Sequence, residues 1–104
     1  MALTNYLKID ASQGTSAGPA STPVQIPGAT VSADQVLVIN NLGNVPVFFN
    51  LGTSSAVTVV NGTGTVAWPG SNLAVDIKTG GFTYIAIATF TPGTSSTVSL
   101  TSGS

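Results

Sequence analysis

The sequence contains no cysteine and no histidine, and only five of its 104 residues carry a full charge: Lys8, Asp10, Asp34, Asp76 and Lys78. Without cysteine there are no disulfides and no thiolate metal sites. Without histidine the most frequent general base and metal ligand are missing. The three acids stand in separate segments, whereas glycoside hydrolysis needs two carboxyls facing each other across a sugar. No stretch forms a dense acidic calcium loop, and no glycine turn carries the Walker A or dinucleotide pattern. These absences predict a protein that is not an enzyme, with no catalytic residues, no metal and no cofactor.

The scarcity of charge also narrows the partners. Two lysines and no arginine cannot neutralise a track of phosphates, so nucleic acid is not an expected partner. The same shortage removes any attraction to an anionic membrane. The densest apolar run, Val45–Leu51, is interrupted by Pro46 and Asn50 and falls far short of a membrane-spanning helix. Met1–Lys8 has no basic segment followed by an apolar core and is not expected to act as a secretory signal.

What is present is a chain of ordinary hydrophobic content, 42%, enough for one domain with a modest core. Its mean hydropathy is nevertheless +0.44, because Ser, Thr, Asn and Gly take the place of Lys and Glu. A net charge of -1 gives little electrostatic reason to stay monomeric. A small domain without disulfides gains stability from its core or from association. Self-association is therefore expected.

Residues 1–22 read as an extended N-terminal arm. Leu7 and Ile9 flank Lys8, and a run of small residues follows from Ala11 to Thr22, punctuated by Gly14, Gly18 and Pro19. Nothing there supplies core volume. Tyr6, Leu7 and Ile9 are the candidate anchors of such an arm on a neighbouring molecule, because apolar side chains on a tail gain little unless buried.

From Pro23 to Ser104 the pattern has period two, broken by turn formers, as in strands of a sandwich. Strands are expected at Val24–Ile26, Gln35–Asn40, Val45–Leu51, Ala56–Val60, Thr63–Trp68, Leu73–Ile77, Phe82–Phe90 and Thr97–Thr101. Gln35–Asn40 has few polar residues and is expected to be covered on both faces. Leu73, Val75 and Ile77 should face inward, with Ala74, Asp76 and Lys78 outward. Turns are expected at Asn40–Asn44, at Asn61-Gly62, at Pro69-Gly70 and at Pro92–Thr94. Asn61-Gly62-Thr63 also matches the N-glycosylation pattern, but the hairpin already accounts for it. No window has helical spacing, and β-branched residues dominate. The expected fold is an all-β antiparallel β-sandwich, jelly-roll or Greek-key like, over residues 23–104.

Most of the aromatic residues are expected in the core. Phe48 and Phe49 are adjacent and must point to opposite faces, so one of them is available to a second molecule. Trp68 lies at a strand end before Pro69-Gly70. Phe48, Phe49 and Trp68 join Tyr6, Leu7 and Ile9 as candidate contacts with another copy or with a larger assembly. A sugar-stacking platform built on Trp68 or Tyr84 is the alternative use of exposed aromatics.

The start Met1–Tyr6, the block Val38–Phe48 continuing to Leu51-Gly52, the Pro69-Gly70 turn, the stretch Tyr84–Thr89 and the ending Gly93–Gly103 together resemble small virion proteins of tailed bacteriophages. Among these the chain is similar to head decoration, or cement, proteins. The resemblance covers most of the chain from Val36 onward and carries no catalytic motif. It implies a jelly-roll or sandwich subunit that forms a homotrimer, binds the major capsid protein or another virion protein, is made in the host cytoplasm and ends in the virion. A fibre, collar or tail component, or a carbohydrate-binding module, are the other roles compatible with such a sandwich.

Overall fold

The computed structural model describes residues 9–27, 36–60, 63–78 and 80–103. Through them run β1 (Ile9–Ala17), β2 (Thr22–Gln25), β3 (Val36–Asn41), β4 (Val47–Gly52), β5 (Thr65–Ala67), β6 (Asn72–Asp76), β7 (Tyr84–Ala88) and β8 (Ser96–Gly103). They form two four-stranded sheets, β1-β8-β3-β6 and β2-β7-β4-β5, antiparallel throughout. The sheets pack face to face as a sandwich.

The pairings are nested. β4 pairs with β5, β3 with β6, β2 with β7 and β1 with β8. That is the pattern of one long ribbon folded back on itself. The pairings β3–β8 and β4–β7 then join neighbouring turns of the ribbon into sheets.

Alternation along each strand sends one set of side chains between the sheets. Leu37 and Ile39 of β3, Val47 and Phe49 of β4, Ile85 and Ile87 of β7, and Val98 and Leu100 of β8 form this core, with Ala17, Ile26, Ala67 and Ile77. Burying each large aliphatic or aromatic side chain contributes roughly 1.5–3 kcal/mol. Leu73 and Val75 pack against the core from β6, whereas Ala74, Asp76 and Lys78 are exposed. β3 is covered unequally on its two faces. Leu37, Ile39 and Asn41 are buried, while Val36 and Val38 are half-buried on the outer side.

Two segments behave differently from the sequence reading. Residues 9–17, read as part of an extended arm that adds nothing to the core, are β1, paired along most of β8 from Ile9↔Gly103 to Ala17↔Ser96. Ala17 is fully buried in the core. A strand of Ser, Thr and Gly gives no volume signal, but a ladder of backbone hydrogen bonds needs none. The segment expected as a strand at Ala56–Val60 joins no ladder. It crosses the outer face of the second sheet as a strap, where Val57 and Val59 pack with Phe48, Ala86, Ala88 and Phe90. The strap is tied by Val59 N–H to Ser21 Oγ (3.0 Å) and by Asn50 Nδ2 to the Thr58 carbonyl (3.2 Å). Gly52 permits the close approach, because a Cβ there would lie 2.5 Å from Val57 Cβ.

Candidate interaction site

One end of the sandwich is organised by a buried polar side chain. Asn41, the last residue of β3, is fully buried. Its Nδ2 donates to the carbonyls of Val45 (2.8 Å) and Ala67 (2.9 Å). Its Oδ1 accepts from Gly43 N–H (3.1 Å) and from Ser96 Oγ–H (2.5 Å). The amide thus uses both donors and both acceptor positions. It holds together the end of β3, the β3–β4 corner, the end of β5 and the start of β8. A buried amide satisfied in this way stabilises one arrangement and penalises others, since each lost partner leaves a buried group unpaired.

The Asn41 backbone continues the network. Its carbonyl accepts from Gly70 N–H (2.9 Å), and the next amide, Leu42 N–H, donates to the Thr97 carbonyl (2.8 Å). Gly70 belongs to the turn Trp68-Pro69-Gly70-Ser71, closed by Ser71 N–H to the Trp68 carbonyl (3.0 Å). Proline at the second position and a glycine at φ 78° at the third make this a type II turn. Ser71 Oγ–H donates to the same Trp68 carbonyl (2.7 Å).

Two large apolar side chains leave this fixed backbone for solvent: Trp68, 62% exposed, and Leu42, 60% exposed. Neither segment 40–46 nor segment 67–72 contains a charge. A rigid, uncharged corner bearing an indole and an isobutyl group suits docking. Its side chains lose little backbone freedom on binding, and tryptophan is among the strongest interface anchors. The Asn41 amide, fully occupied within the chain, has nothing left to offer a ligand.

The sequence candidates fall in different places. Tyr6 and Leu7 lie outside the described residues, as do Asn61 and Gly62 of the glycosylation pattern. Ile9 opens β1, opposite Gly103. Phe49 is a core residue, 2% exposed, because alternation along β4 turns it inward with Val47. It is not available as a contact with a second molecule. Phe48 points outward, yet it is half-buried against Phe90, with ring centroids 5.5 Å apart at 51°. Of the six candidates, Trp68 is the one the structure describes as exposed, and Leu42 joins it. Leu42 was legible only as an apolar residue set among the turn formers Asn40, Asn41, Gly43 and Asn44.

Among the described residues no cluster of three or more acidic, histidine or cysteine side chains could hold a metal ion, and no helix is long and apolar enough to cross a membrane. Comparison of the chain with protein-family models, curated proteins and solved structures finds no match.

Proposed function

We propose that the chain is a structural virion protein that decorates or cements a bacteriophage capsid, docking on the lattice of the major capsid protein. The observation that carries this reading is the strand order β1-β8-β3-β6 over β2-β7-β4-β5. We read its nested pairing as jelly-roll wiring, an eight-stranded architecture frequent in viral capsid subunits and also in lectins. Fold by itself does not assign function. The resemblance to phage virion proteins inclines the choice to the capsid, and the Trp68–Leu42 corner supplies a docking surface. A capsid offers a repeated protein surface, to which a neutral apolar anchor on a stiff backbone is matched.

The test is sedimentation of phage particles assembled with the chain, with heads and tails separated on a gradient. The wild-type chain should travel with heads, and the Trp68→Ala variant should remain in the soluble fraction with its fold intact. Recovery with tails or fibres would move the role to those parts. Absence from every particle fraction would end the virion reading.

Exposure of Trp68 also favours a second reading, a carbohydrate-binding module in which the indole stacks on a sugar ring. Sugar sites add convergent polar groups to the aromatic platform, and the Asn41 amide beside this corner is already used. A glycan screen with binding abolished by Trp68→Ala would favour the module over the capsid.

A further inference from the structure

The four outer edges of the two sheets are not alike. β2 has four residues and contains Pro23, and β5 has three. β6 has five and ends on Asp76. Short length, proline and charge are the devices by which proteins keep sheet edges from pairing with other chains. β1 carries Asp10 and a register shift between Ile9 and Ala11 at its start, but none of these devices from its third residue onward. It runs nine residues, Ile9–Ala17, with no proline or lysine and no charge from Ala11 to Ala17.

Among the described residues no strand pairs with the outer edge of β1. Ser12, Gln13, Gly14 and Ser16 are exposed along it, and nothing lies within 4 Å of the position a Cβ would take at Gly14. In an antiparallel ladder, alternate residues turn both N–H and C=O away from the paired neighbour. From Ala11 to Ala17, where its register with β8 is unbroken, β1 therefore presents a regular row of donors and acceptors beside small side chains.

We propose that β1 pairs antiparallel with β1 of a second copy about a two-fold axis, joining the two β1-β8-β3-β6 sheets into one continuous sheet. A strand paired with itself matches its own length, and a two-fold contact closes without leaving a free β1 edge. Self-pairing centred on Gln13 sets Ser12 opposite the partner's Gly14, and Ala11–Thr15 of the two copies face each other without a charge. Pairing of β1 with β6 of another copy would set the regular stretch Ala11–Ala17 against a shorter strand of five residues and leave an unpaired edge at each end. The two-fold pair is distinct from the three-fold order implied by the phage resemblance, and it does not use the Trp68 corner.

The experiment is sedimentation equilibrium of the full chain over a concentration series, beside two double variants. Ser12→Lys with Gly14→Lys, and Ser12→Glu with Gly14→Glu, each bring like charges together across the pair. The wild type should reach the mass of two chains. Each variant alone should show a dissociation constant raised at least tenfold, and a one-to-one mixture of the two should regain the two-chain mass. That rescue separates loss of pairing from loss of folding. Trp68→Ala should leave the wild-type mass unchanged. A wild type that stays monomeric, plateaus at three chains or grows without a plateau would overturn the proposal. So would variants that associate as the wild type does, or a Trp68→Ala variant that dissociates.

Discussion

The two sheets have the same number of strands, yet their outer faces are finished in opposite ways. On β7 of the second sheet, Ala86 and Ala88 point away from the main core and are still fully buried. The strap residues Val57 and Val59 close over them together with Phe48 and Phe90. On the first sheet, Ser12, Gly14 and Ser16 of β1, Thr97 of β8, and Asn72, Ala74 and Asp76 of β6 remain exposed. One outer face is a second, smaller core, and the other is an open face of mostly small side chains with Val36 and Val38 half-buried among them. The difference shows that an outward apolar residue does not by itself call for a partner. Phe48, a candidate contact with a second molecule, packs instead with the chain's own loop. Leu42, Val60 and Trp68 are the large apolar side chains that stay exposed among the described residues.

The largest effect is expected inside the sandwich. Phe49→Ala empties the space between the sheets and should cost about 3–5 kcal/mol, read as a lowered midpoint in urea unfolding. Were Phe49 a surface contact, the midpoint would barely move.

A matched pair of substitutions then contrasts the two outer faces directly. Ala88→Lys forces a long cation beneath the strap and should destabilise on the order of 3 kcal/mol, since burying an unpaired charge is among the costly changes. Ala74→Lys, at an exposed position of β6, should stay within about 0.5 kcal/mol of wild type. Equal effects on the urea midpoint would show that the strap does not seal its face.

Gly52→Ala tests the close approach of the strap. The added methyl meets Val57 at both Cβ and Cγ2, and overpacking of this kind costs about 1–3 kcal/mol. Hydrogen exchange should quicken at Val59 N–H, the donor to Ser21 Oγ, before it quickens in β4.

The smallest effect concerns Phe90, which holds φ 58°, a region unfavourable to any residue with a Cβ and unusual for one this bulky. Its ring packs on Phe48, so the backbone strain accompanies closure of the covered face. Alanine and glycine at this position both remove the ring, but only glycine also removes the strain. Phe90→Gly should therefore be more stable than Phe90→Ala by about 0.5–1 kcal/mol. The reverse order by thermal unfolding would mean that the backbone relaxes once the ring is gone.

The strands of the sandwich interior were the most legible part of the sequence. Leu37 and Ile39, Val47 and Phe49, Ile85 and Ile87, and Val98 and Leu100 sit at period two with β-branched or aromatic neighbours, and period two has one simple physical meaning. β1 was not legible, because its stability lies in backbone pairing with β8 and leaves almost no trace in Ser, Gln, Gly and Thr. Ala56–Val60 was legible as extended but not as a strap, because ladder and strap share the same alternation. The corner was half legible. Trp68 beside Pro69-Gly70 is visible as an aromatic at a turn, but nothing in the sequence ties it to Asn41, 27 positions away.

The sequence by itself determined an all-β chain with few charges, the inward face of most strands, and the sites of its proline–glycine turns. Those properties are local: side-chain branching, alternation and the φ angles available to each residue decide them within a few positions. Only the tertiary structure decided which strand lies beside which, that the loop after β4 closes over β7, and that Asn41 joins four segments at one end. Those depend on contacts between residues far apart in the chain, whose energy appears only when the sheets have come together.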